Sequence, residues 1–248
     1  MSDPTDIAVL ASELEDESPI AILQRALDHH ESDEIAIAFS GSEDVMLIEW
    51  AAQLGRPFRV FSIDTGRLHP ETLRFIQRVE QHYGIRVEIQ FPRTEAVEGL
   101  VRAKGLFSFY DDGHEECCGI RKVEPLRRKL ATLSGWVTGQ RRDQSPRTRR
   151  SLAVVELDEA HQGKDGRPLI KWNPLCARTS ADVWDAIRAF DVPYNSLHDR
   201  GFVSVGCEPC TKAILPGQHE REGRWWWEEA TKKECGLHQL NVIEPSDD

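Results

Sequence analysis

The stretch EIAIAFSGSEDVMLIEWAAQL, residues 34–54, decides the fold. Its first seven residues are a short, mostly apolar run of the kind buried in a parallel sheet. Gly41, Ser42, Glu43 and Asp44 read as a turn, and from Val45 to Leu54 apolar residues recur at spacings of three and four, the period of a helix. The same unit recurs downstream. FRVFSID (58–64) reads as a strand, HPETLRFIQRVEQHYG (69–84) as a helix with Pro70 near its start and Gly84 after its end, and IRVEIQF (85–91) as a third strand. GWVTGQ (135–140) and IKWNPL (170–175) continue the strand pattern and TSADVWDAIRAF (179–190) the helical one. This alternation predicts an α/β fold with a parallel, doubly wound sheet, whose ligands bind at the carboxyl ends of strands near a topological switch point.

Working outward, Ile20, Ala21, Leu23 and Leu27 suit a helix packed on this body, whereas the extreme N-terminus is expected to be loose. From Leu215 the pattern dissolves. The expected organisation is therefore an α/β body over 1–214 and a mobile C-terminal arm over 215–248, with Trp225, Trp226 and Trp227 docking on the body.

The chain has 248 residues, 42 acidic against 31 basic side chains, and a formal net charge of −11. That length supports a core without disulfide staples. The acidic balance excludes a general attraction to nucleic acid or to an anionic membrane, so an anionic ligand must be met by local basic patches. No run approaches the roughly 18–20 apolar residues of a spanning helix, and no basic segment precedes an apolar one at the start, which leads to the expectation of a cytoplasmic protein. The six cysteines are too sparse for a secreted disulfide scaffold and are grouped instead as Cys117-Cys118 and Cys207-Glu208-Pro209-Cys210, with Cys176 and Cys235 alone.

Five places carry candidate chemistry. Ser40 to Val45 joins a strand to a helix, so its backbone N–H groups and the helix dipole could receive a phosphate, although the GxxxxGK[ST] signature is absent. Asp64, Thr65, Gly66, Arg67 and Leu68 follow the second strand and could line the same crevice, or merely lead into the helix after them. Gln140 to Arg150 holds Arg141, Arg142, Arg147, Arg149 and Arg150, a guanidinium cluster matched to tetrahedral oxyanions. The paired cysteines could hold zinc or an iron–sulfur cluster, and vicinal thiolates suit the larger cluster better; buried apolar cysteines and a redox dithiol at Cys207/Cys210 are the plainer readings. Cys235 lies among Lys232, Lys233 and His238, with Arg221 and Arg224 upstream; such cations lower a thiol pKa and make a nucleophile. Cys176, in an apolar context, reads as core filler.

Together SGSEDV (40–45), IDTGRLHPET (63–72), ECCGIRKVEPL (116–126), VTGQRRDQSPRTR (137–149), VPYNSLHDRGFVSVGCEPCT (192–211), GRWWWE (223–228) and KKECGLH (232–238) resemble the assimilatory sulfonucleotide reductases, in their iron–sulfur branch. The resemblance implies a sheet of the PP-loop type, similar to the adenine nucleotide alpha hydrolases. It implies reduction of adenosine 5′-phosphosulfate (APS) to sulfite and AMP, within sulfate assimilation and cysteine biosynthesis. It places a 4Fe-4S cluster on Cys117, Cys118, Cys207 and Cys210, and makes Cys235 the nucleophile that becomes an S-sulfocysteine, released by thioredoxin or glutaredoxin. Ser40, Gly41, Ser42, Glu43, Asp44, Asp64, Thr65, Gly66, Arg67, Leu68, Gln140, Arg141 and Arg149 would hold the nucleotide, and Lys122, Arg221, Arg224 and His238 would surround the sulfate end. Arg147 stands where relatives often have glycine. A homo-oligomer is left open. A reductase for the 3′-phosphorylated nucleotide, a PP-loop tRNA-thiolating enzyme and a cysteine-based redox sensor are the alternatives.

Overall fold

The computed structural model describes residues 4–145 and 149–228. Two helices, α1 (Pro4–Leu14) and α2 (Pro19–His29), precede the first strand, β1 (Ile35–Ala38). Then come α3 (Ser42–Leu54), β2 (Val60–Ile63), α4 (Pro70–Tyr83), β3 (Val87–Gln90) and α5 (Thr94–Lys104). A helical segment follows as α6 (Glu115–Cys118), a π turn (Gly119–Val123) and α7 (Glu124–Leu130), leading to β4 (Gly135–Val137), β5 (Val155–Gln162), β6 (Pro168–Trp172) and α8 (Ser180–Ala189). The sheet order is β3-β2-β1-β4-β6-β5, parallel throughout except for β5, which runs antiparallel to β6 at the edge.

The order explains where a site must form. The chain winds outward from β1 to β3, then returns to the other side of β1 as β4, so the direction of winding reverses between β1 and β4. Loops leaving those two strands diverge above the sheet and open a crevice there. Alternation along β1 supplies both faces: Ile35 and Ile37 enter the core beneath α1 to α4 and α8, while Ala36 faces the cluster of Leu126, Leu130 and Trp136 under α7. Burial of Val45, Met46, Leu47 and Ile48 fixes α3 on the sheet, each contributing about 1.5–3 kcal/mol.

The N-terminus departs from expectation. Residues 4–14 are helical because Ile7, Leu10 and Leu14 fall on one face and are buried, with α1 packing against β5. The second departure is β5, which has no counterpart in the sequence reading. Its hairpin to β6 turns at Lys164–Arg167, where Asp165 (φ 57°) and Gly166 (φ 72°) both take positive φ, as a type I′ turn requires. Asp-Gly was the signal. Residues 94–130, to which pattern assigns no element, hold α5 to α7. Cys176 is core filler, 2% exposed.

Candidate active site

The crevice between β1 and β4 is a cavity of about 250 Å³. Ser40, Gly41, Ser42, Glu43 and Asp44 form one wall, Gly139, Gln140, Gln144 and Arg149 another. Asp44 is what shapes the first wall. Its Oδ2 accepts hydrogen bonds from Ser40 N (2.7 Å), Ser40 Oγ (3.0 Å) and Gly41 N (2.9 Å), and its Oδ1 accepts one from Gly139 N (3.0 Å). Asp44 therefore braces the two loops against each other, with both oxygens already engaged. Gly139 is obligatory at this contact, because a Cβ there would lie 2.4 Å from Asp44 Oδ1.

Burial, and after it the charge of Glu43, pushes the Asp44 carboxyl up to about 6, with the Ser40 and Gly41 donors pulling the other way. Between pH of about 4 and 6 the folded chain keeps a proton that the unfolded chain has released, so the stability from this group falls as pH rises through that window. Wild type should thus lose stability relative to Asp44→Asn as pH rises from about 4 to about 6, measured as urea midpoints. A constant difference between the two proteins would contradict the assignment.

Arg141 does not line the cavity. Its guanidinium is 0% exposed and donates from Nη1 to Glu43 Oε1 (2.6 Å), from Nε to Asp143 Oδ1 (3.0 Å) and from Nη2 to Glu220 Oε2 (3.0 Å). Arg141, expected to hold the nucleotide, is placed as a counter-ion that ties the first loop, the β4 loop and the C-terminal segment together. Arg149 does line the cavity and donates to Gln144 Oε1. Gln140 lines it too, 5% exposed, with neither Oε1 nor Nε2 meeting a protein partner. Such a buried amide calls for a ligand that offers both a donor and an acceptor.

Beyond β2 the predicted residues divide. Thr65 and Leu68 line the main cavity. Asp64 accepts from Gly66 N (2.8 Å) and shapes the turn, in which Gly66 has φ +71°. Arg67 goes to the other side, its guanidinium 5.4 and 5.1 Å from the ring centroids of Phe107 and Phe109. Arg221 and Arg224 enter the main cavity from the C-terminal segment. Cys235, His238 and Arg147 lie outside the described residues.

Next to the main cavity is a narrow second one, lined by Cys117, Cys118, Cys207 and Cys210 with Arg67, Phe109, His114, Arg121 and Lys122. None of the four is in a disulfide. Helix α6 presents the vicinal pair, and the π turn after it brings Arg121 and Lys122 to the same cavity; π segments often mark functional sites. Thr65 Oγ1 is 3.2 Å from Cys207 Sγ, and the buried Trp225, 0% exposed, packs in the same cluster with its Nε1 unpartnered. Burial, and then Cys207, pushes the Cys210 thiol up to about 12, and burial raises Cys117. Among the described residues no group of three or more Cys, His, Asp or Glu converges on a single-ion site. Cys207 and Lys122 line both cavities.

The sequence profile of the phosphoadenosine phosphosulfate reductase domain matches residues 34–213, a span that contains both cavity-forming loops and all four paired cysteines. The chain belongs to that family. It is 61% identical over 245 residues to 5′-adenylylsulfate reductase 1, chloroplastic, of Arabidopsis thaliana, a match that covers 98% of this chain and 52% of the plant protein. It is 59% identical over 243 residues to adenosine 5′-phosphosulfate reductase of Pseudomonas aeruginosa (strain LESB58), covering 98% of this chain and 90% of that one. The chain thus spans about half the plant relative and nearly all of the bacterial one. The crystal structure of phosphoadenylyl-sulfate reductase from Candida auris, in a phosphate complex, superposes with a TM-score of 0.71 at 24% identity, covering 86% of this chain and 98% of that one, and shares the fold.

Some residues of the main cavity were not among the expected site residues, although Gln144, Asn195 and His198 fall inside stretches that carry the resemblance. Gln144, Asn195, His198 and Glu220 line the main cavity. Of these only Gln144 falls inside a stretch singled out by its arginines. Glu220 was hidden in the acidic background of the chain, and its role depends on a partner 79 positions away. Among the described residues no helix is long and apolar enough to cross a membrane.

Proposed function

We propose that this chain reduces APS to sulfite and AMP, with Cys235 as nucleophile and a dithiol protein of the thioredoxin or glutaredoxin type as reductant. The observation that carries the reading is the shared wall: a nucleotide-sized cavity and a four-cysteine cavity meet at Cys207 and Lys122. Family membership and curated relatives named for APS reduction support the substrate. The unpartnered Gln140 amide suits a nucleobase edge, and the N-terminus of α3, with its macrodipole, suits the nucleotide phosphate. Glu43, Asp44 and Glu220 surround this end with negative charge, which disfavours a further 3′-phosphate.

In the first step the Cys235 thiolate attacks the APS sulfur, the bond from sulfur to the AMP oxygen breaks, and an S-sulfocysteine remains. Lys122, Arg221 and Arg224 are the described cations placed to offset charge on the sulfonyl oxygens. In the second step a thiolate of the reductant attacks Cys235 Sγ and sulfite leaves. The second thiol of the reductant then resolves the mixed disulfide and restores Cys235, so two electrons pass from the dithiol to sulfur.

The four paired cysteines fit a 4Fe-4S cluster. They line one cavity and none of them is in a disulfide. Thiols raised by burial ionise when a metal takes the proton's place. Arg121 and Lys122 would balance the thiolate charge, and Thr65 Oγ1 and Trp225 Nε1 are donors available to sulfur. Bound there, the cluster would supply fixed charge and structure beside the sulfonyl group.

Cys235→Ser is expected to abolish both AMP release and sulfite formation while leaving AMP affinity unchanged. Turnover by this variant at the wild-type rate would remove Cys235 from the chemistry.

A further inference from the structure

Glu228, the last described residue before Cys235 in the sequence, is held by a histidine of the cysteine cavity. Glu228 Oε1 accepts a hydrogen bond from the His114 backbone N–H (2.9 Å), and Glu228 Oε2 lies 2.6 Å from His114 Nδ1. Both side chains are buried, at 2% exposed for His114 and 9% for Glu228. The imidazole also stacks on Trp225, centroids 4.1 Å apart at 25°. His114 in turn begins the helix of the vicinal cysteines, since its C=O accepts from Cys118 N (2.8 Å). Glu228 therefore supplies, from 114 residues downstream, a carboxylate that receives the backbone N–H at the start of α6, where His114 makes no side-chain cap and Glu115 and Glu116 are the local acids.

We propose that His114 and Glu228 are positioning residues, a buried latch that fixes the root of the segment bearing Cys235 on the cysteine-bearing helix. The proposal rests on the functional reading above. Cys235 follows Glu228 by seven residues, at most about 25 Å of extended chain, so fixing Glu228 limits how far the thiol can lie from the cysteine-bearing helix. Releasing it dilutes the nucleophile without touching the nucleotide cavity, whose lining contains neither residue. A role in folding alone would not separate these two quantities.

The test compares wild type, Glu228→Gln and Glu228→Ala, each purified anaerobically. Single-turnover AMP release from saturating APS is expected to slow by about tenfold or more in Glu228→Ala, with Glu228→Gln intermediate because its carbonyl still accepts from His114 N–H. AMP affinity and iron content should stay at wild-type values. Hydrogen exchange should show faster exchange of the amides from His114 to Cys118 in Glu228→Ala. Unchanged AMP release, or slowing accompanied by equal loss of AMP affinity and iron, overturns the latch. A wild-type chain that releases no AMP sinks the functional reading instead, and the exchange measurement then decides the latch by itself: unchanged exchange overturns it.

Discussion

Replacing Lys122 by alanine is expected to lower kcat for APS by about 10²- to 10³-fold, the range seen when one preorganised charge-stabilising donor is removed. Lys122 is buried in the π turn after the vicinal cysteines, lines both cavities, and has its Nζ 5.7 Å from the Trp225 ring centroid. An ammonium in that position is worth most when negative charge builds on the transferred sulfonyl group, and less in the ground state. The loss should therefore fall on kcat, with iron content and AMP affinity near wild type. A rise in KM at constant kcat would assign Lys122 to uniform binding.

The second large effect concerns stability. Arg141→Met leaves Glu43, Asp143 and Glu220 converging on a buried site with no cation, and breaking a buried pair in this way costs about 3–5 kcal/mol. For a chain of this size that lowers Tm by roughly 6–20 °C. Burial already raises the Glu220 carboxyl despite Arg141, so without the guanidinium it is expected to take up a proton. Arg141→Lys should recover part of the loss, since one ammonium cannot reproduce three separate N–H directions. A change below about 1 kcal/mol, measured by urea unfolding, would mean the carboxylates relax apart and that Arg141 is free for the ligand.

Arg141 also shows where sequence reasoning stops. A cluster of arginines in an acidic chain points to the β4 loop, which lines the main cavity, yet it does not tell a guanidinium that faces the cavity from one paired with a carboxylate of its own loop and with those of two other segments. The paired carboxylates of Glu43 and Asp44 pose the same problem. Both sit where the turn was expected, but one serves Arg141 and the other the backbone of Ser40, Gly41 and Gly139. The parallel strands and their helices were legible because hydrophobic period is a local property. The antiparallel β5 was not, since its solvent-facing residues dilute the alternation and its Asp165-Gly166 turn is a two-residue signal. The four cysteines were legible by chemistry, whereas the cover over them, Trp225 with His114 and Glu228, depends on residues far apart in sequence.

The central claim is that a sulfonate group passes from APS to Cys235. Intact mass spectrometry of anaerobically purified protein incubated with APS, without a reductant, followed by peptide mapping, tests it directly. A single sulfonate adduct on the peptide containing Cys235, formed with APS and not with its 3′-phosphorylated counterpart, is the predicted result. No adduct from APS, in protein that retains its iron and sulfide, would contradict it.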